Sequence, residues 1–231
     1  MGTSTITYTA TDGAGNTATC SFTVTVTDVT APAIACPANI VEGTNAGICG
    51  AVVNYTTPVG TDNCSGIVTT MTAGLSSGST FPVGTTTVTY LVTDAAGLTA
   101  SCSFTVTVND TEAPVAVCQN ISINLDGSGN ASFVAADVDG GSTDNCDVTG
   151  LSVSPVGPFT AVGTYNVTLT VTDAAGNTDD CVAVVTVTDN NPPVALCQPV
   201  TIYLDASGNA GIVAADIDGG STDNGTIVSM V

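Results

Sequence analysis

One register lays this chain onto itself. Cys20, Cys102 and Cys181 recur at intervals of 82 and 79 residues, and Cys36, Cys118 and Cys197 repeat the same intervals. So do Asp62, Asp144 and Asp223. A period near 80 is far too long for a solenoid unit and describes a tandem array of domains. The boundaries fall where a strand runs into an acid, a few small or polar residues and then proline: Asp28 to Pro32, Asp110 to Pro114 and Asp189 to Pro193. Residues 1–28 then hold the last strands of one repeat, 29–110 and 111–190 are complete repeats, and 191–231 hold the first strands of another. Linkers this short predict domains arranged end to end with restricted swing.

Within a repeat the pattern is β. Strands are expected near Asn39–Val41, Ala51–Thr56, Ile67–Thr72, Thr85–Val92 and Ala100–Val108. Gly43–Gly47, Val59–Ser65, Leu75–Gly84 and Asp94–Leu98 read as turns. Phe104, Val106 and Val108 alternate with Ser and Thr, the mark of a strand with one buried face. No segment shows a helical period. About 80 residues in seven or so strands predict an all-β chain of tandem immunoglobulin-like β-sandwich domains.

Composition then removes whole classes of function. The chain has no Lys, Arg or His. There is no ordinary general base near neutral pH, no Schiff-base amine and no usual activating partner for a Ser or Cys nucleophile. A Lys–Asn isopeptide staple is impossible. Nothing can neutralise phosphates, which excludes nucleic-acid binding. Glycosidase chemistry needs only carboxylates, but Glu42 and Glu112 are the only glutamates and aromatic content is 4%. The sequence therefore predicts no enzyme.

A formal net charge of −20 strains a compact fold through self-repulsion and calls for multivalent cations. The competing reading is that the acids only keep the surface soluble, but they cluster in loops. No run reaches a membrane-spanning length, and Met1 leads straight into the alternating strand Ser4–Ala10 with no leader ahead of it. Nine cysteines suit an oxidising, extracellular compartment. Zinc is disfavoured because there is neither His nor a CxxC pair.

Several strings together resemble a known family. Ala31-Pro-Ala-Ile-Ala-Cys-Pro37, Cys49-Gly-Ala-Val-Val53, Thr61-Asp-Asn-Cys64, Phe81-Pro-Val-Gly84, Val88-Thr-Tyr-Leu-Val-Thr-Asp94 and Cys102-Ser-Phe104 are similar to a hyalin repeat (HYR) domain. The first half of the next repeat departs from it: Leu125-Asp-Gly-Ser-Gly-Asn-Ala131, then Ala135 through Cys146, resembles the HYR-related repeats of giant bacterial surface proteins, gliding adhesins among them. The resemblance implies an Ig-like fold, secretion, a role in adhesion and no catalytic activity. Gly225 stands where the register expects a cysteine.

In an Ig-like sandwich the incoming linker, the B–C turn and the F–G turn share one end. That gathers Asp28, Asp62, Asn63 and Asp94 for the first complete repeat. The second offers Asp110, Glu112, Asp137, Asp139, Asp144, Asn145 and Asp173; the third offers Asp189, Asp216, Asp218, Asp223 and Asn224. Converging hard oxygen ligands on flexible turns suit Ca²⁺, by analogy with calcium at cadherin junctions. Asp137–Gly140 and Asp216–Gly219 begin like an EF-hand loop, but its closing Glu is absent. The alternative is that these residues cap their own turns.

Strands A and G run side by side in such a fold, which favours the disulfides Cys36–Cys102 and Cys118–Cys181. Cys49, at the far end of strand B, and Cys64 are further candidates, four cysteines allow three pairings, and Cys146 is the expected free thiol. Reduced core cysteines are the competing view. Sequons at Asn54, Asn63, Asn120, Asn130, Asn166 and Asn224 matter only in a eukaryotic source. The half-repeats read either as a window on a longer array or as halves that complement one another between copies in a head-to-tail fibre. The functional expectation is a structural segment of an extracellular adhesin or surface filament. Its partners are neighbouring repeats or copies of itself, with no nucleic acid and no membrane insertion. A glycan- or protein-binding module, or a spacer in a larger secreted enzyme, are the rivals.

Overall fold

A computed structural model describes residues 2–231. The chain falls into two compact units that divide after Asp110. The first opens with an antiparallel hairpin, β1 (Gly2–Thr11) and β2 (Thr17–Val26), paired in unbroken register from Gly2↔Val26 to Thr11↔Thr17. There follow β3 (Ile40–Gly43), β4 (Gly50–Val53), β5 (Val68–Ala73), β6 (Ser79–Pro82), β7 (Gly84–Thr93) and β8 (Thr99–Asn109). These six strands build a sandwich: one sheet in the order β3-β8-β7-β5, the other β4-β6.

The alternation expected of the strands is what closes the core. Val88 and Tyr90 of β7, with Phe104, Val106 and Val108 of β8, are buried against Ala51, Val53 and Phe81 of the smaller sheet. The Thr and Ser residues between them face outward. Tyr55 packs its ring edge-on to Phe104 at 5.0 Å and donates its hydroxyl hydrogen to the Leu75 carbonyl at 2.6 Å. β6 lies inside Leu75–Gly84, which the sequence reads as a turn. Four residues show little alternation, but fully buried Phe81 anchors them by pairing across to Ala51.

The second unit holds β9 (Ile121–Asn124), β10 (Val148–Ser154), β11 (Gly163–Asp173) and β12 (Thr178–Thr188), in the order β10-β11-β12-β9. Its opposite layer is irregular, held by an Ala131↔Phe159 bridge and by buried Leu125 and Val138. In each sandwich a short first strand joins the last in parallel, β3 on β8 and β9 on β12, the closure of an Ig-like fold. Single helical turns at Ala135–Asp137 and Ala214–Ile217 escape a search for period because one turn has none. Asp137 accepts the Val134 N–H at 2.8 Å, and Asp216 accepts the Val213 N–H at 2.9 Å. Among the described residues no helix is long and apolar enough to cross a membrane.

Candidate metal centre

Asp28 follows β2 at the start of the linker, and its Oδ1 accepts the Thr30 N–H at 3.1 Å. The linker then meets the turn before β5: Ala33 and Thr61 exchange two backbone hydrogen bonds, both 2.8 Å. Gly60 makes this approach possible, because a Cβ there would overlap the Val92 side chain. Asp62 follows directly and accepts the Cys64 N–H at 3.0 Å. The result is a half-buried cluster in which carboxylate oxygens of Asp28 and Asp62 and the Cys64 sulfur all lie within 4.8 Å of one another.

Carboxylate oxygens of Asp28 (Oδ2), Asp62 (Oδ1) and Asp94 (Oδ2) are buried without a hydrogen bond of ordinary geometry. Asp94 is only 6% exposed; its Oδ1 accepts the Ala96 and Leu98 N–H groups at 2.9 and 2.8 Å. The corresponding turn of the second unit shows what is missing. There Asn177 donates its amide to Asp173 Oδ2 at 2.8 Å, and Leu98 stands in its place in the first unit. Burial pushes Asp173 up, yet the Asn177 side chain and the N–H groups of Asn177, Gly176 and Ala175 outweigh it and hold the carboxyl low. Asp94 Oδ2 has no such donor. Buried carboxylate oxygens without donors are costly, and a chain lacking Lys, Arg and His supplies no cationic side chain to compensate.

The Thr30 N–H, then the Cys64 thiol and the Asn63 amide, hold Asp28 below the usual carboxylate range. The same contact, followed by desolvation and the charges of Asp28 and Asp62, pushes the Cys64 thiol up. Cys64 is a free thiol, which corrects its place among the disulfide candidates: its sulfur faces carboxylates instead of a second sulfur. Alkylation of Cys64 is therefore expected to rise with pH through a midpoint above that of a free cysteine, with Asp28→Asn lowering that midpoint. A wild-type midpoint at or below that of a free cysteine contradicts this arrangement.

The other acids are placed variously. Asp110 accepts the Thr44 hydroxyl hydrogen at 3.1 Å. The Glu112 carbonyl accepts from the Asn177 amide at 3.1 Å. Asp144 Oδ2 takes the N–H groups of Cys146 and Asp147, while its Oδ1 is buried without a donor; Asn145 directs its amide toward the Cys146 sulfur. Asp189 accepts from the Asn224 amide at 3.1 Å and lies beside Asp223, where Gly225 leaves room: a Cβ at 225 would overlap the Asp189 carboxylate. Asp137 and Asp216 cap their helical turns, and Asp139 and Asp218 each bind the N–H and hydroxyl of a serine three residues on, Ser142 and Ser221. These four carboxylates serve their own turns.

Disulfides join Cys36 to Cys102 and Cys118 to Cys181, tying the segment before the first strand of each sandwich to the last. Cys49 is also disulfide-bonded, as is Cys146, which corrects its reading as a free thiol. Together the fold and these bonds define a class, the disulfide-clamped, tandem β-sandwich repeats of extracellular and cell-surface proteins, since such bonds persist in oxidising compartments. Residues 1–26 and 27–108 match the family model of the HYR domain. The chain is 33% identical to hyalin of Strongylocentrotus purpuratus over 98% of this chain and 35% identical to hyalin of Lytechinus variegatus over 83% of it. It spans only 21% and 38% of those two proteins. A protocadherin GammaB4 extracellular domain covers 89% of this chain and is itself covered to 41%, at 18% identity and a TM-score of 0.40.

Proposed function

We propose that this chain is a non-catalytic structural segment of an extracellular adhesin or surface filament, stiffened by calcium at its repeat junctions and clamped by disulfides. One observation carries the calcium reading: the buried Oδ1 of Asp62 and Oδ2 of Asp94, which accept no hydrogen bond, with the Asp28 carboxylate beside Asp62, in a chain with no cationic side chain. Hard carboxylate oxygens on adaptable turns fit Ca²⁺, which accepts six to eight oxygens and tolerates irregular geometry. Asp28 and Asp62 would hold the ion, with Asn63 able to add an amide oxygen. An ion shared between a linker and a turn resists bending there. The thiol of Cys64, kept protonated by its neighbours, leaves the ligation to oxygen. Asp110, Glu112, Asp144, Asn145, Asp173, Asp189 and Asp223 repeat the pattern by sequence and would serve the later junctions. Partners on this reading are adjoining repeats and other cell-surface or matrix molecules.

Calorimetric titration of the full chain with CaCl₂ tests this. Saturable binding is expected, with Asp62→Asn losing one site while Asp137→Asn, whose carboxylate serves its own turn, titrates like wild type. Absence of binding heat, or equal loss in both variants, contradicts the assignment.

A further inference from the structure

The chain enters each complete sandwich beside the strand by which it leaves. Ile40 of β3 pairs in parallel with Val106 of β8, and Ile121 of β9 with Val185 of β12. Cys36 and Cys102 stand just upstream of the first pair, Cys118 and Cys181 just upstream of the second, and each couple is bonded. Between bond and ladder an asparagine side chain continues the seam. Asn39 Oδ1 accepts the Thr105 N–H at 2.9 Å, and Asn120 Oδ1 accepts the Val184 N–H at 2.7 Å. Downstream, the Thr44 N–H reaches the Asn109 carbonyl and the Leu125 N–H the Thr188 carbonyl, both at 2.9 Å. Each seam between first and last strand therefore carries a covalent bond at its upstream end.

That placement decides where tension goes. A pull along the chain drags the first strand upstream and the last strand downstream, which loads the parallel seam in shear. The disulfide takes the load before the seam does. Tension reaching Cys36 crosses to Cys102 and leaves along β8, a strand held between β3 and β7. In the second repeat it crosses from Cys118 to Cys181 and leaves along β12, held between β11 and β9. Everything enclosed by the bonds, residues 37–101 and 119–180, lies off the path. We propose that these two disulfides are the load-bearing elements of their repeats, and that the chain they enclose is latent length, released under tension only when a small-molecule thiol cuts the bond. The inference rests on reading the chain as a structural segment of an adhesin or filament, and adds how such a segment carries force.

Release is a thiol–disulfide exchange. A small thiolate attacks one sulfur of the bond, forms a mixed disulfide and expels the other cysteine as a thiolate, which takes up a proton. The covalent path is cut at this step. A second small thiolate attacks the mixed disulfide, frees the remaining cysteine and leaves as the oxidised small disulfide, so two small thiols supply the two electrons. Load then falls on the hydrogen-bonded seam, and its shearing frees the enclosed residues.

The full chain, flanked by disulfide-free marker domains of known unfolding length, is held at constant force in magnetic tweezers with and without reduced glutathione. The bonds close sequence separations of 66 and 63 residues, which when extended span at most roughly 230 Å and 220 Å. Without thiol neither length is expected to appear. With thiol both are expected, read as a total because Cys49 and Cys146 are disulfide-bonded as well. The rate of release is expected to rise severalfold with applied force, since the bonds being cut are those under load. Serine at both Cys36 and Cys102 is expected to let the chain lengthen before any thiol is added. Release from the wild-type chain without thiol, cleavage at a rate indifferent to force, or a double variant that still waits for thiol overturns the proposal. The force dependence is read on the wild-type chain, so the test holds even if the double variant fails to fold. Calcium binding is measured separately, so failure here leaves the proposed function standing.

Discussion

Serine at both Cys36 and Cys102 is expected to lower the stability of the first unit by about 4 kcal/mol. The bond closes a sequence separation of 66 residues, and a cross-link over that span removes roughly this much loop-closure free energy from the unfolded chain. For a domain of this size the melting temperature should fall by about 15–30 °C. The native side of the argument points the same way. β3 contributes only four residues to its parallel pairing with β8, and the disulfide reinforces that short contact between the entering segment and the sheet. Differential scanning calorimetry of the double variant measures the effect, with circular dichroism at low temperature establishing that the sandwich still forms. A change below about 1 kcal/mol would show that the clamp is idle.

Phe81→Ala is expected to cost about 3–5 kcal/mol, the usual range for truncating a fully buried aromatic. Phe81 is the largest fully buried side chain and lies on β6, a four-residue strand whose partner β4 is equally short. The smaller sheet has no other large residue to fill the space between Val88 and Phe104, so a cavity persists. Val59→Ala, at a position 73% exposed, should stay within about 0.5 kcal/mol of wild type. Urea unfolding of both variants checks the pair, and equal midpoints would contradict the core described.

Much of this was readable in the residues, because the strands that matter are long and half-buried. β7 and β8 alternate Val, Tyr and Phe with Thr and Ser over ten or more residues, and burial follows that alternation. The convergence of Asp28 and Asp62 was legible for a topological reason: a sandwich that pairs its first strand with its last brings linker and turn to one end. Other features leave no trace in a single sequence. β6 is too short to show a period. Asp-x-Asp-Gly describes a ligand loop and a self-capped turn equally well, and only the bonds from Asp137 to Val134 and from Asp139 to Ser142 reveal what those carboxylates do. The thiol chemistry of Cys64 depends on which carboxylates surround it. The bare oxygen of Asp94 depends on Leu98 standing where another repeat has asparagine, a difference whose meaning appears only once Asn177 is seen donating to Asp173.

The central claim is that donor-less carboxylates hold a divalent cation, and the most direct measurement is thermal unfolding of the full chain in millimolar CaCl₂ and in chelator. A cation at 100 times its dissociation constant adds about 2.7 kcal/mol to the state that binds it. The account predicts a melting temperature several degrees higher in calcium, a shift diminished by Asp62→Asn and retained by Asp137→Asn. Superimposable curves in calcium and chelator would contradict it, leaving a disulfide-clamped repeat whose acids serve only its turns.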